Sequence, residues 1–476
     1  MDKFDGETLR VPDRFEALEI DDESSLRGVI VPVEQSLGFI DSRFRDIEMA
    51  GRGGLVILKG LSGAGKTTFA NTIGLFREGV TTVTIDGTAN LDTELVALPS
   101  SERARIVIVA GREALGEVSH AEIEQFLHAI NTFVRSPAGK KTLVIWPVNT
   151  QGLADMLSGI AYELGAEALL GIGERVHLFT GPPGEKFTSI AEQTIGALNE
   201  GASLANLGIT EERAEELSCG SGTIGGFLLR IASELSRNVS IVKGLLPAEQ
   251  IHVWTVVVAG NDPEGAVNAV TRGRYAYVDI DRMMTSTNAN VVADLQKNAA
   301  KLGILGTVLD ARVIHLDILT ALAVARAYSD ERLKQLMIAQ GMSVDPDPKD
   351  GGKIANSVLG KLIAGSTLGT AKVGPKPGNN SVLAFEKLAL IASKDDGALN
   401  RAVGTALKET GLITHFDTEK EFGQGQKYFS DLYVEREGYN PVRLEFMWRK
   451  STGTAQVSNY VLKKLASYGR AVNLLE

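Results

Sequence analysis

The sequence predicts an α/β protein with a parallel sheet in its first part, followed by a helical block, a mixed α/β middle region and a small C-terminal α/β domain. Five candidate strands recur at helix-sized intervals; the first is a short apolar run, and a glycine-rich loop follows it. Strands that are buried on both faces of a parallel sheet are continuously apolar in this way. Further along the chain, a segment rich in proline and glycine predicts a linker before the last domain.

The composition is that of a globular protein. The 476 residues suggest about three domains, at roughly 100–200 residues per domain. One cysteine, Cys219, and six histidines supply neither a disulfide framework nor a zinc-site spacing. The net charge of −10 argues against a basic nucleic-acid footprint over the whole chain. No apolar run reaches the roughly 18 residues of a membrane span, and the acidic N-terminus lacks a signal-peptide core. We therefore expect a cytoplasmic protein without a membrane partner.

A sheet core is predicted over residues 34–184, after an N-terminal arm over residues 1–33. A helix is expected over 34–48. The five predicted strands are Leu55–Leu58, Thr81–Asp86, Arg105–Val109, Thr142–Trp146 and Arg175–Thr180. Strands that alternate with helices form a parallel sheet covered on both faces. The clearest helix is His120–Val134, which has one apolar face and Ser119 in position to cap it.

The rest of the chain is predicted to form four further regions. Their bounds are 185–246 for the helical block, 247–342 for the mixed middle region, 343–380 for the linker and 381–476 for the C-terminal domain. Strands are expected over Gln250–Ala259 and near Tyr275–Ile280 in the middle region. The C-terminal domain is expected to contain a strand hairpin around Tyr439-Asn440-Pro441 and a last helix near 457–468.

The loop after the first strand has the sequence Gly60-Leu61-Ser62-Gly63-Ala64-Gly65-Lys66-Thr67-Thr68, which satisfies the Walker A pattern. Glycines let backbone N–H groups close around phosphate oxygens, and the following helix adds the positive end of its dipole. Lys66 is expected to reach the β- and γ-phosphates of ATP or GTP, and the Thr67 hydroxyl to bind Mg²⁺. The other predicted cofactor-binding residues are Gly60, Ser62, Gly63, Ala64, Gly65 and Thr68. The alternative is an ordinary glycine-rich turn, which this spacing and context disfavour.

With this motif, the order of strands and helices over about residues 34–245 resembles the additional-strand, catalytic-glutamate class of P-loop NTPases, which includes the AAA+ and STAND ATPases. The resemblance implies a P-loop sheet with a helical lid, ATP hydrolysis, and oligomers in which a neighbour's arginine completes the site. In that class the third strand ends in Asp-Glu, whereas here it is followed by Ala110-Gly111-Arg112-Glu113. Glu113 is therefore the catalytic candidate, which would polarise the attacking water or help to hold Mg²⁺. A surface-loop position is the alternative.

Two further positions follow from the same resemblance. Asn149 stands after the fourth strand, where the class has a polar sensor residue, although asparagine is also a common turn residue. Arg230 stands where a lid arginine would reach the γ-phosphate, with an exposed helix arginine as the alternative. No Asn/Thr-Lys-x-Asp guanine-reading motif follows the core, which favours ATP over GTP. The loop is also similar to that of adenylyl-sulfate kinases, so a small-molecule kinase is a third interpretation.

The C-terminal domain carries two acidic residues on successive predicted strands, with a basic, aromatic helix after them. Asp431 lies in Tyr428–Val434, Glu445 lies in Val442–Lys450, and the helix extends over Asn459–Tyr468. This order resembles the core of the PD-(D/E)XK restriction-endonuclease-like proteins. The resemblance implies a nuclease-like domain in which Asp431 and Glu445 hold Mg²⁺ and the metal generates the nucleophile for phosphodiester hydrolysis.

The sequence departs from that family at the lysine expected two residues after the glutamate, because Met447 stands there. Arg449 shares a strand face with Glu445 and is a candidate replacement. Lys450 lies on the opposite face, and is a candidate only if the strand ends early. The basic residues of the last helix that would then contact phosphates are Lys463, Lys464 and Arg470. The alternative is an ordinary α/β appendage whose acids face solvent.

Together these features predict an ATP-binding and ATP-hydrolysing protein that controls a nucleic-acid-acting, nuclease-like module. Prokaryotic defence or DNA processing is the setting that this combination of domains suggests by analogy. DNA is the favoured nucleic acid, and a homo-oligomer or a partner protein is expected. The alternative is a regulatory ATPase switch or scaffold whose C-terminal domain binds a partner protein without cleavage, which the low basic charge of the chain favours.

Overall fold

The computed structural model describes residues 9–12, 23–114, 119–247, 251–261, 263–287, 295–368, 377–423 and 426–476, without the side chains of 23–25. The chain divides into two compact units. The N-terminal unit comprises Val11–Leu198 and Ala214–Ala232. The C-terminal unit comprises Met1–Arg10, Asn199–Arg213 and Ser233–Glu476. Residues 1–8 and 13–22 of the predicted N-terminal arm lie outside the described residues.

The N-terminal unit is built on a five-stranded sheet. Its strands are β1 Gly54–Lys59, β2 Val80–Ile85, β3 Ala104–Val109, β4 Thr142–Val148 and β5 Val176–Leu178. They lie in the order β2-β3-β4-β1-β5, and every neighbouring pair is parallel. The predicted five-stranded parallel sheet is therefore confirmed. β1, β3 and β4 are almost wholly buried, because they are inner strands covered on both faces.

Helices on both faces of this sheet supply two layers of apolar core. They are α2 Glu34–Ala50, α3 Lys66–Phe76, α4 Leu91–Ala97, α5 His120–Arg135 and α6 Gln151–Leu170. The unit also contains α1 Glu23–Val29 and α7 Phe187–Leu198. The helix predicted over His120–Val134 is confirmed as α5. Ser119 caps it as predicted: its side chain accepts a hydrogen bond from the Glu122 backbone N–H, and the Ser119 N–H donates to the Glu122 carboxylate.

The block predicted to be helical over residues 185–246 is helical apart from turns and two short 3₁₀ segments. After α7, it contains α8 Glu211–Cys219 and α9 Ile224–Leu245. Its role as a lid over a nucleotide stays a prediction.

The C-terminal unit contains a mixed seven-stranded sheet. Its strands are β6 His252–Ala259, β7 Thr271–Arg272, β8 Tyr277–Val278, β9 Arg312–His315, β10 His415–Phe422, β11 Tyr428–Arg436 and β12 Tyr439–Arg449. They lie in the order β10-β11-β12-β6-β9-β8-β7, with β12 antiparallel to β11 and parallel to β6. The strand predicted over Gln250–Ala259 is β6, and the predicted hairpin is the β11–β12 pair.

The central pairing of this sheet joins two regions that the sequence assigned to separate domains. β12 pairs with β6 from Val442↔His252 to Arg449↔Ala259, so 247–342 and 381–476 share one sheet. The segment 343–380 therefore connects parts of a single unit. A strand's pattern reveals how it is buried, but its partners are set by tertiary context. Residues 369–376 of the predicted linker lie outside the described residues.

Helices cover both faces of the second sheet as well. They are α10 Glu264–Asn268, α11 Ile280–Thr285, α12 Ala299–Val308, α13 Ile318–Ala327, α14 Glu331–Ala339, α15 Lys353–Asn356, α16 Val358–Ile363, α17 Asn379–Glu409 and α18 Thr454–Ala471. On one face, α13 and α17 pack on Trp254 and Phe446. On the other, α12 and α18 pack on Val257 and Met447. The last helix predicted near 457–468 is α18.

Candidate functional site

The predicted phosphate loop connects β1 to α3 at the carboxyl end of the parallel sheet. Gly63 and Gly65 have φ angles of +80° and +92°, a region that glycine adopts without strain. A Cβ at Gly60 would lie 2.5 Å from the Phe179 carbonyl oxygen. The glycines of the motif are therefore required by the backbone path of this loop.

The loop lines a cleft of about 590 Å³. Of the predicted cofactor-binding residues, the cleft is lined by Ser62, Gly63, Ala64, Gly65, Lys66, Thr67 and Thr68. Gly60 lies beneath the loop, where its carbonyl oxygen accepts a hydrogen bond from Lys66. Glu113 and Asn149, predicted from strand ends, line the same cleft. The fold thus brings together the predicted loop, the acidic candidate and the sensor candidate.

Lys66 is the centre of the hydrogen-bonding network in this cleft. Its Nζ donates to the carbonyl oxygens of Gly60 and Leu61 and to Asn149 Oδ1, each at 2.8 Å. These three acceptors use the three donors of the ammonium group. Lys66 is only 5% exposed, and burial lowers its pKa, while the carboxylate of Glu113 opposes that shift. A phosphate that binds Lys66 has to replace one of these acceptors.

Glu113 and Asn149 are joined through the main chain. The Asn149 N–H donates to the Glu113 carbonyl oxygen at 2.7 Å, so the loops after β3 and β4 are held together. The Glu113 carboxylate accepts a hydrogen bond from the Gly111 N–H at 2.9 Å, inside its own loop. Glu113 is therefore a half-buried loop residue that lines the cleft, and its role in catalysis stays a prediction.

The start of α9 is a part of the cleft that sequence reasoning missed. Thr223, Gly225 and Gly226 line it, and the Gly225 N–H donates to the Gly63 carbonyl oxygen at 2.9 Å. Thr223 Oγ1 accepts a hydrogen bond from the Gly226 N–H, which caps the helix. The sequence signal for this helix start is a capping threonine between glycines, just before an amphipathic helix. Arg230 is exposed and lies near Gly220, and it does not line the cleft.

One wall of the cleft is apolar. It is formed by Val29, Ile30, Val31, Pro32, Val33, Leu37, Ile190, Leu228 and Leu229. A ligand pocket commonly pairs such a wall with a few placed polar groups. The cleft therefore has a polar end at Lys66 and an apolar end.

The two C-terminal acids lie on neighbouring strands of the second sheet. β11 pairs with β12 at Leu432↔Leu444 and Tyr433↔Arg443, and the same register continued by one residue sets Asp431 opposite Glu445. The Glu445 side chain is fully buried, and the Asp431 side chain is 19% exposed. The Phe446 N–H donates to Asp431 Oδ2 at 2.6 Å. The acids thus meet on one face of the sheet.

Lys464 of α18 lies between these acids. Its Nζ is 2.6 Å from Glu445 Oε2 and 3.7 Å from Asp431 Oδ1. The Tyr468 hydroxyl donates to Glu445 Oε1 at 2.7 Å, and the Tyr460 hydroxyl donates to the Phe446 carbonyl oxygen at 2.8 Å. We name Asp431, Glu445, Lys464 and Tyr468 the acid–lysine cluster.

Burial and charge shift the pKa values within the acid–lysine cluster. Burial, together with the nearby Asp431, raises the pKa of Glu445 to about 7, although Lys464 and Tyr468 oppose the shift. Burial also raises the pKa of Asp431. Burial alone would lower the pKa of Lys464, but the carboxylates of Glu445 and Asp431 outweigh it and the net shift is upward. Lys464 is therefore charged at neutral pH.

Neither residue predicted to replace the missing lysine contacts the two acids. Arg449 Nη1 donates to the Trp448 carbonyl oxygen at 3.0 Å, and Lys450 pairs with Glu386 at 3.0 Å. Met447 is buried in the core against α18. The cation that contacts both acids is Lys464, which the sequence had assigned to phosphate contact. It reaches them because α18 crosses this face of the sheet.

The described residues contain no group of three or more His, Cys, Asp or Glu side chains placed to hold a metal ion. No described helix has both the length and the apolar character needed to cross a membrane.

Comparison of the chain with protein-family models gave no match, and comparison with curated proteins gave no significant one.

Proposed function

We propose that the N-terminal unit binds and hydrolyses a nucleoside triphosphate with Mg²⁺, and that ATP is the favoured nucleotide. The observation that carries this proposal is the Lys66 ammonium, held inside the cleft by a complete Walker A loop. The strand order supports it, because β4 lies between the phosphate-loop strand β1 and β3 as an additional strand.

The residues of the cleft fit the parts of such a nucleotide. Backbone N–H groups at the start of α3 suit the phosphates, which a helix N-terminus favours. The Thr67 hydroxyl and the Glu113 carboxylate line the cleft together and would hold Mg²⁺ and polarise the attacking water. The apolar wall suits the base.

Asn149 would make the cleft sensitive to the state of the nucleotide. Its side chain holds Lys66, and its main chain holds the Glu113 loop. A γ-phosphate that draws Lys66 away would release the Asn149 amide, and hydrolysis would restore the contact. Binding of a phosphate at one end would thus move a loop at the other, which is how nucleotide switches operate.

The nucleotide could control either of two activities of the C-terminal unit. In the first, the C-terminal unit acts on nucleic acid through Asp431 and Glu445. In the second, it binds a partner protein without cleavage, and the contact of Lys464 with both acids favours this version. The test is nucleotide hydrolysis by the full chain with and without DNA or RNA. Stimulation by nucleic acid supports the first activity, and indifference supports the second.

Asn149→Ala is expected to lower the rate of hydrolysis by about 10–100-fold, because a positioned polar group near the reacting phosphate is lost. Nucleotide affinity should change by less than about threefold, since the loop backbone and Lys66 remain. Single-turnover kinetics and a fluorescent-nucleotide titration separate the two quantities.

Gln151→Ala is the matched control for this variant. Gln151 is two residues further along and accepts a hydrogen bond from Lys59, and it does not line the cleft. Its rate should stay at the wild-type value. Equal losses of rate and affinity in Asn149→Ala would contradict the role given to Asn149.

A further inference from the structure

The oxygen atoms of Asp431 and Glu445 are each engaged by a protein donor. Asp431 Oδ2 accepts from the Phe446 N–H, and Glu445 Oε1 accepts from the Tyr468 hydroxyl. Asp431 Oδ1 and Glu445 Oε2 both face the Lys464 ammonium. All four carboxylate oxygens are thus committed to groups of this chain.

Lys464 is held between the acids from several sides. Its side chain is 21% exposed, and its Nζ lies 5.4 Å from the Tyr460 ring centroid and 5.6 Å from that of Tyr428. Tyr460, Lys464 and Tyr468 follow one another at intervals of four residues, so they share one face of α18. Each contacts the β11–β12 hairpin. This face of α18 therefore places the Lys464 ammonium and the two tyrosine rings against the hairpin together.

A divalent cation does not fit this arrangement. Mg²⁺ demands near-octahedral coordination by oxygen atoms. At the acid pair the position between the carboxylates is filled by the Lys464 ammonium, 2.6 Å from Glu445 Oε2 and 3.7 Å from Asp431 Oδ1. An ion placed beside Lys464 would also be repelled by the positive charge of the ammonium.

We propose that Lys464 is the resident cation of the Asp431–Glu445 pair and that it excludes a divalent cation from it. The acid–lysine cluster then anchors α18 to the β11–β12 hairpin, and the C-terminal unit works without metal-dependent cleavage. The inference goes beyond nucleotide hydrolysis and does not depend on it. It assigns to Lys464 the position that the nuclease-like interpretation gives to Mg²⁺.

The test is Mn²⁺ binding to the nucleotide-free full chain, followed by electron paramagnetic resonance. Wild type and Asp431→Asn are expected to bind the same number of Mn²⁺ ions, because the acid pair of wild type holds none. Lys464→Met should gain one Mn²⁺ site, with a Kd at least about tenfold lower than any wild-type binding, since a unit positive charge is removed from the pair. That new site should disappear in Lys464→Met/Asp431→Asn. Lys463→Met is the matched control, because it removes the neighbouring exposed lysine and should gain nothing.

Two results would overturn the proposal. One is a wild-type Mn²⁺ site that disappears in Asp431→Asn or Glu445→Gln. The other is a folded Lys464→Met protein, judged by circular dichroism, that gains no site. The wild-type measurement stands even where Lys464→Met fails to fold. Lys464→Arg, which keeps the positive charge, should behave like wild type. Nucleotide hydrolysis measured on the same samples shows separately whether the N-terminal unit is active.

Discussion

Lys66→Ala is expected to lower nucleotide hydrolysis by at least about 100-fold, because the ammonium that would neutralise charge on the transferred phosphate is lost. The structure holds that group inside the cleft, only 5% exposed and with three acceptors. Among the residues that the structure describes, no other lysine or arginine lines the cleft. The loss should therefore not be compensated by a neighbouring side chain.

Lys59→Ala is the matched control for this experiment. Lys59 ends β1, just before the loop, and its ammonium contacts Gln151 outside the cleft. The same change of charge at that position should leave the rate within about twofold of wild type. A Lys66→Ala protein that keeps a third or more of the wild-type rate would reject the Walker A assignment.

Thermal unfolding gives a second view of the same variant. A nucleotide present at 100 times its Kd stabilises the folded state by about 2.7 kcal/mol. Wild type should therefore unfold at a higher temperature with Mg²⁺ and ATP, and Lys66→Ala should lose most of that shift. Retained stabilisation without hydrolysis would mean that Lys66 acts in catalysis more than in binding.

The N-terminal unit was predictable from sequence because its signals are local. The inner strands β1, β3 and β4 carry continuous apolar runs, and α5 begins at a serine with a glutamate three residues into the helix. The hydrogen bond between Lys66 and Asn149 could not be predicted from such local signals. Asparagine is common in turns, so Asn149 becomes informative only when β4 lies beside β1.

The C-terminal unit was less predictable because its contacts are distant in sequence. β12 pairs with β6 across nearly two hundred residues, from Val442↔His252 onward, and no local pattern indicates this partner. The missing lysine was sought on the strand, at Arg449 or Lys450. It is supplied by a helix instead. Lys463 is exposed and Lys464 lies on the face of α18 that packs, but only the position of α18 on the sheet shows that Lys464 meets Glu445.

Lys464→Met is expected to lower the free energy of unfolding by about 3–5 kcal/mol when measured at about pH 9. The pKa of Glu445 is about 7, so its carboxylate is ionised in wild type at that pH, and the variant leaves this fully buried group without its charge partner. Urea denaturation of the full chain, followed by a probe in the C-terminal unit, measures the change. Lys463→Met, at an exposed position one residue away, should change the same quantity by no more than about 0.5 kcal/mol.

The double variant Glu445→Gln/Lys464→Met measures how strongly the two side chains depend on each other for stability. Replacing both partners removes the uncompensated charge, so most of the loss caused by Lys464→Met alone should be recovered. Additive losses would mean that the two side chains act independently. Added Mn²⁺ should also stabilise Lys464→Met and leave wild type unchanged, if a metal takes the position of the ammonium.

The pH dependence of stability tests the environment of Glu445 directly. Its pKa is raised from an ordinary value of 4.5 to about 7 by burial, so the folded state binds a proton more tightly than the unfolded state. The corresponding stability is fully present below about pH 4.5 and is lost as the pH rises to about 7. Wild type should therefore lose stability across this window, relative to Glu445→Gln, in which that contribution is absent. Parallel curves for the two proteins would mean that Glu445 ionises normally, and that Lys464 and Tyr468 compensate fully for its burial.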